Sequence, residues 1–361
     1  MSPPILPGAA ANVQDAPPAE HGAALAQPHG PAFIYAGNGA QWDGMGRALL
    51  DEPLFADSLR EIDAHFTPLA GYSLTDELAG RNGAARYALT EVAQPALFAI
   101  QVGITRLLQH HGFSPIVVAG HSVGEVAAAW AAGALTLRDA IELIHRRSAL
   151  QATTRGAGQM CAVALDAATT ESLLRAELLQ GELVIAGINS PQAVTLAGPA
   201  AALDAFEARL RADGIQHKRL ALDYAFHSPA MDATRQAILD ALRELPRHNT
   251  SIPFVSAVSG GPLPGSALDA QYWWQNIRQA VLFNAAINQL IADGINIFVE
   301  IGPHPILRGY INDCCAHTQH PATILATLSR KHDNFSALES CMARMRTAGV
   351  VPMGDADSAQ R

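Results

Sequence analysis

Residues 116–125 read Ile116-Val117-Val118-Ala119-Gly120-His121-Ser122-Val123-Gly124-Glu125. The apolar run at the start predicts a short buried strand, and the small-residue run from Glu125 to Ala132 predicts a helix. Between them a serine stands in the Gly-x-Ser-x-Gly pattern of a nucleophile elbow. The flanking glycines permit the tight turn that exposes the serine oxygen. Backbone N–H groups just beyond it open a helix, and their positive end can stabilise an oxyanion. Ser122 is therefore a candidate nucleophile on an α/β scaffold.

A chain of 361 residues can bury a large core, and we expect one big domain with a smaller one. Apolar residues make up 49% and charged residues 16%, the composition of a soluble, compact enzyme. No apolar run reaches bilayer-spanning length, and the N-terminus lacks a charged region followed by an apolar one; a cytoplasmic location is expected. The net charge of −9 argues against nucleic acid and against an anionic membrane surface. Any anionic substrate or acidic partner must then meet a local basic patch. Cys161, Cys314, Cys315 and Cys341 show neither metal-site nor disulfide spacing and read as reduced thiols.

Residues Met1 to Pro31, rich in Pro, Ala and Gly, read as a linker or disordered leader. Phe33-Ile34-Tyr35 predicts a strand, followed by Gly37-Asn38-Gly39-Ala40-Gln41-Trp42. That glycine-rich turn either lets backbone approach a ligand or simply joins strand to helix. Amphipathic helices are expected around Pro53 to Phe66 and Glu91 to His110. Beyond the elbow helix, Thr136-Leu137-Arg138-Asp139 looks like a capping box. The stripe that follows, Leu137, Ile141 and Ile144, is continued by Arg147, whereas Arg146 points away. A guanidinium facing inward must find an anion, either a structural Asp or Glu or the carboxylate of a substrate.

From Gly156 the texture changes to strand, helix, strand, strand, helix and strand through Leu222, a small βαββαβ, ferredoxin-like unit inserted in the larger domain. Next, Ser228 and Pro229 are a plausible N-cap and N1 for a helix running to Leu245. His227 would then sit at a helix N-terminus, where the dipole favours neutral imidazole; it is a candidate base or a packed helix-entry residue. Tyr272-Trp273-Trp274-Gln275-Asn276 precedes a helix through Ile291. Strands are expected at Ile295 to Ile301 and Thr323 to Leu328, with a linker-like tail beyond Gly349.

At this point a family resemblance emerges. The landmarks Gly37 to Trp42, Gln94-Pro95-Ala96, Gly120 to Glu125, Arg147, Ala225-Phe226-His227-Ser228, Asn276 and Glu300-Ile301-Gly302-Pro303-His304-Pro305 occur in order between Phe33 and Arg330. Together they resemble the acyltransferase domains of modular polyketide synthases, relatives of malonyl-CoA:acyl-carrier-protein transacylase. The resemblance implies an α/β-hydrolase-like domain with a parallel sheet, spanning 32–155 and 223–330. It also implies a ferredoxin-like insert at 156–222, and a C-terminal helix and linker at 331–361.

Ser122 would be the nucleophile and His227 its base, with a backbone carbonyl near Asn276 orienting the histidine in place of a third carboxylate. Asp223 or Asp232 is the conventional alternative. Val123 and Asn38, where relatives usually carry Gln, would supply the oxyanion hole. Arg147 would bind the free carboxylate of a malonyl group. Val123 and Phe226 resemble the malonyl-selecting pattern and Tyr224 the methylmalonyl-selecting one; a bulky Phe226 favours malonyl.

The implied partners are malonyl-CoA, an acyl carrier protein and a neighbouring ketosynthase domain, with no resident cofactor and no metal. An acyl hydrolase using the same Ser-His pair, and an idle scaffold, are the competing readings. His217-Lys218-Arg219 is the candidate basic patch or an ordinary solvated charge cluster.

Overall fold

The computed structural model describes residues 30–353. Its main sheet is built from strands that are apolar on both faces, because helices cover both sides. β1 (Ala32–Tyr35) is wholly buried and lies parallel to β2 (Val117–Gly120) on one side and β9 (Ile297–Ile301) on the other. β10 (Thr323–Ala326) extends one edge in parallel, and β7 (Phe254–Ser256) the other. β8 (Gly261–Leu263) closes that second edge antiparallel, so the sheet is mostly, not wholly, parallel; its order is β10-β9-β1-β2-β7-β8. Of the expected leader, Gly30 and Pro31 are part of the fold, the Pro31 carbonyl accepting from Ile116 N–H; the rest of it lies outside the described residues.

The helices are α1 (Pro53–Ala70), α2 (Leu74–Ala79), α3 (Thr90–His110), α4 (Gly124–Ala131) and α5 (Leu137–Ala152). The expected capping box opens α5, with the Thr136 hydroxyl taking Asp139 N–H and the Asp139 carboxylate taking Thr136 N–H. α3, α4 and α5 pack on one another, which sets Gln94 of α3 opposite Arg147 of α5.

Between α5 and residue 222 the chain forms β3 (Gln159–Val163), α6 (Ala167–Ala176), β4 (Val184–Ser190), β5 (Ala193–Gly198), α7 (Ala200–Ala212) and β6 (His217–Arg219). The four strands make an antiparallel sheet ordered β4-β5-β3-β6, with its own apolar core around Leu196, Leu203 and Phe206.

Two helices depart from expectation. The segment after Ser228 is a 3-10 turn, Pro229–Thr234, followed by the short α8 (Arg235–Ala241). Ser228 does cap it, accepting from Ala230 N–H, and the three-residue turn puts Met231 and Thr234 together on the buried face. The expected single helix to Ile291 is two: α9 (Ala270–Arg278), which contains Tyr272 to Asn276, and α10 (Phe283–Ala292). α11 (Arg308–His317) and α12 (Phe335–Thr347) complete the set. The tail is not free at Gly349: Val350 is buried and Met353 N–H donates to Gly112 O, while residues 354–361 lie outside the description.

Candidate active site

β1 and β2 end side by side, and the loops leaving their carboxyl ends form the floor of a cleft of about 490 Å³ whose opposite wall is the small sheet. The elbow follows β2. Ser122 takes φ 53°, a left-handed conformation that costs a non-glycine residue about 1–3 kcal/mol. Both glycines of the motif are sterically required. A Cβ on Gly120 would stand 2.3 Å from Glu125 N, and one on Gly124 would stand 2.2 Å from Tyr35 O.

Ser122 Oγ lies 2.7 Å from His227 Nε2, and both side chains are buried at the cleft floor. His227 also takes positive φ, 59°, and is docked on the last carbonyls of α9. Its backbone N–H donates to Ile277 O, and its Nδ1–H donates to Gln279 O at 2.9 Å. Gln279, three residues beyond the expected Asn276, therefore supplies the orienting carbonyl. Asp223 is paired with Arg155 and Asp232 with Arg278, so neither completes a triad. Burial, then the nearby Arg147 and His121, push His227 down to about 3 and keep it neutral. Desolvation thus does what the sequence had assigned to a helix dipole. His227 does precede the capped turn Pro229–Thr234, but it also sits at the carboxyl end of α9, which favours the imidazolium formed during reaction.

Arg147 faces inward as its helical phase predicts, and is only 1% exposed. Its protein partners are neutral. Nε and Nη2 donate to Asn276 Oδ1 at 3.3 and 3.1 Å, and Nη1 donates to Gln151 Oε1 at 2.8 Å and to Gln94 Oε1. Nη2 also stands 3.5 Å from Ser122 Oγ. No structural carboxylate pairs with it among the described residues. Burial lowers the guanidinium to about 9, opposed by Glu125. Asn276, rather than orienting the histidine, holds Arg147 and donates to Ser122 O and to Glu125. Arg146, by contrast, is paired with Glu142 at the surface.

Among the described residues, the backbone N–H groups of Val123 and Asn38 have no protein acceptor, as an oxyanion hole requires. Gly37 brings Asn38 close to the elbow, since a Cβ there would stand 2.5 Å from His121 O. The Val123 side chain itself packs in the main core and does not line the cleft.

The acyl transferase domain family model matches residues 32–352. The chain belongs to this acyl transferase family. The domain is 36% identical over 321 residues to erythronolide synthase EryA2 of Saccharopolyspora erythraea, which is 88% of this chain and 9% of that synthase. It spans 14% of NorC, a spectinabilin polyketide synthase system protein of Streptomyces orinoci, at 37% identity over 90% of this chain. Among solved structures, the acyltransferase domain from module 8 of the salinomycin polyketide synthase superposes with a TM-score of 0.86 at 34% identity. That superposition covers 89% of this chain and 76% of the other. MCAT from Streptococcus pneumoniae gives 0.74 at 27% identity, over 86% of this chain and 99% of its own.

Phe226 lines the cleft of the acyl transferase domain, and Tyr224 stacks behind it, ring centroids 4.9 Å apart and planes 9° from parallel. Tyr224 is thus a backing residue: it does not line the cleft, and its OH is 3.5 Å from Thr90 N. His121, beside the nucleophile, lies in the cleft and bonds Asn189 Oδ1 of the small sheet at 2.9 Å.

In the basic cluster, Arg219 is bound by Glu207 and Asp204. Lys218 and Arg330, both exposed, line the cleft without a paired carboxylate among the described residues. The four cysteines are buried and unbridged. No described helix is long and apolar enough to cross a membrane.

Proposed function

We propose that this acyl transferase domain moves a malonyl-type acyl group from CoA to the phosphopantetheine thiol of an acyl carrier protein, supplying extender units to a polyketide synthase. The observation that carries this reading is Arg147: a desolvated guanidinium solvated only by neutral amides, 3.5 Å from the nucleophile oxygen. Burying a charge without a counter-ion is costly, and a substrate carboxylate would relieve that cost only when bound. The Nη2 edge toward Ser122 is the one a malonyl carboxylate would reach.

In the first half-reaction, His227 Nε2 takes the Ser122 proton as Oγ bonds to the thioester carbonyl carbon. The oxyanion meets the N–H groups of Val123 and Asn38. The C–S bond then breaks, His227 returns the proton to the thiolate, and CoA leaves. In the second, His227 takes the carrier thiol's proton, sulfur attacks the acyl-serine carbonyl, and Oγ leaves with the proton. The Gln279 carbonyl fixes the tautomer that keeps Nε2 free for this traffic.

No resident cofactor enters this cycle. The phosphates of CoA and an acidic carrier surface would meet Lys218 and Arg330. The rigid Phe226–Tyr224 stack supports malonyl over methylmalonyl, with a neighbouring ketosynthase domain as the downstream consumer.

The test is intact-mass spectrometry after brief exposure to malonyl-CoA, methylmalonyl-CoA or acetyl-CoA, with Ser122→Ala and Arg147→Ala alongside. A malonyl adduct that requires both residues and passes to a carrier thiol supports extender loading. Acetyl loading as readily as malonyl would overturn the carboxylate clamp, and loss of the adduct to water without transfer would indicate a hydrolase.

A further inference from the structure

Asn276 uses every hydrogen-bonding position of its amide. Nδ2 donates to Ser122 O at 3.1 Å and to Glu125 Oε2 at 2.7 Å, while Oδ1 accepts from Arg147 Nε and Nη2. Turned over, the same amide would aim its NH2 group at the guanidinium, donor against donor. What forbids that flip is Glu125.

Glu125 is completely buried in the first turn of α4 and has no basic partner in contact. Its oxygens accept from Ala257 N–H at 2.5 Å and Tyr272 OH at 2.7 Å, besides Asn276. Tyr272 OH is held in turn by Ser256 Oγ at 2.8 Å. A carboxylate this deep is expensive to keep, and an apolar side chain would pack there more cheaply. Its position one amide away from Arg147 gives it a use. A direct Glu–Arg pair would occupy the guanidinium fork and compete with substrate. Burial raises Glu125 to about 7 against the pull of its three hydrogen-bond donors and of Arg147; with Asn276 interposed, its ionised form offsets the buried cation while the fork stays free.

We propose that Tyr272, Glu125 and Asn276 form a relay that orients Arg147 for the substrate carboxylate, with Glu125 as its positioning residue. The proposal rests on the carboxylate-clamp reading of Arg147. It predicts a selective defect. Dicarboxylate loading depends on the fork, whereas reaction of Ser122 with an uncharged reagent depends chiefly on His227 and Gln279 and feels Arg147 only through its field on His227 and its 3.5 Å contact with Ser122 Oγ.

The experiment compares Glu125→Gln, Tyr272→Phe and Arg147→Ala in two assays: malonyl-CoA loading by intact mass, and Ser122 inactivation by methanesulfonyl fluoride. In Glu125→Gln the fixed Ala257 N–H keeps the amide oxygen on its side and Tyr272 OH can turn to accept, so the new NH2 faces Asn276 Nδ2 and displaces it. Malonyl loading should fall about 100-fold, as for a misplacement of roughly 1 Å, while inactivation should fall by less than about tenfold. Tyr272→Phe, which removes one hydroxyl and keeps the ring, should lose about tenfold in loading alone. In an Arg147→Ala background, Glu125→Gln should add nothing.

Equal losses in both assays would make Glu125 merely structural and overturn the relay. Arg147→Ala loading malonyl like the parent would overturn the clamp and the relay together. A collapse in Arg147→Ala with Glu125→Gln and Tyr272→Phe unaffected would overturn the relay alone.

Discussion

Replacing Arg147 by Met should leave the empty domain at least about as stable as the parent and nearly unable to load malonyl. Burial pulls the guanidinium down from its ordinary value to about 9. At about 1.4 kcal/mol per tenfold, keeping that charge in the empty site costs on the order of 5 kcal/mol. Against this stands the loss of its hydrogen bonds. Gln94 Nε2 still donates to Gln151 Oε1 at 3.0 Å, so the carbonyls left without a donor are those of Asn276 and Gln94. Each such orphan costs about 1–3 kcal/mol.

Met is unbranched, suits α5 and fills most of the volume. The balance then runs from a loss of about 1 to a gain of about 3 kcal/mol, seen as a melting temperature between about 2 °C below and about 5 °C above the parent. Loading moves the other way. Removing one partner of a desolvated charge pair costs about 2–5 kcal/mol, or roughly 30- to 5,000-fold in malonyl adduct formation. Thermal melts and an intact-mass time course on the same preparation measure both. A variant less stable than the parent by more than about 1 kcal/mol would refute the claim that burying the charge costs about as much as its hydrogen bonds return, and undiminished malonyl loading would refute its use.

Four further outcomes follow from the same geometry. Because His227 is held near 3, it is neutral throughout ordinary conditions, and Ser122 inactivation by methanesulfonyl fluoride should be flat between about pH 5 and 8. An acid limb centred at the usual histidine value would contradict that. The same depression means the unfolded chain binds the proton first, so the His227 contribution to stability is full above about 6.5 and shrinks as pH falls toward 3. Gly124→Ala should cost more than about 3 kcal/mol and abolish labelling of Ser122, because the new methyl meets Tyr35 backbone that cannot turn aside; a melt within a degree of the parent would show that the elbow has room. Phe226→Ser should raise methylmalonyl relative to malonyl loading by about 10- to 200-fold, the worth of about 1–3 kcal/mol, and an unchanged ratio would acquit Phe226 as the wall.

How much of this was written in the chain depends on which atoms do the work. β1, β2 and β9 were legible because a strand covered on both faces must be apolar throughout, and α5 because its capping box and stripe fix its phase, Arg147 included. β7 and β8, three residues each, are too short to show a period. The break between α9 and α10 was hidden because Val281 and Leu282 continue the apolar texture of the flanking helices. Gln279 was invisible for a different reason: its functional atom is a main-chain carbonyl, which every residue carries. Gln94, Gln151 and Asn276 come from α3, α5 and α9, so the cradle around Arg147 exists only in three dimensions.

That break also explains why the small sheet is more than a cover for the cleft. β4, its edge strand, is stitched to the same connection: Ile188 N–H donates to Val281 O at 2.8 Å, and Val281 N–H donates to Ala186 O at 2.9 Å. Two residues upstream of Val281 lies the Gln279 carbonyl that fixes the His227 ring. On the facing side, His121, adjacent to Ser122, reaches Asn189 of β4, which in turn holds Thr195 of β5. The nucleophile's neighbour and the histidine's anchor are therefore fastened to one strand of the inserted unit. Since β4 pairs on its other side with β5 alone, a shift of the small sheet would carry Gln279 and Asn189 together. The Ser122–His227 distance of 2.7 Å is thus held by both layers of the molecule, not by the elbow alone.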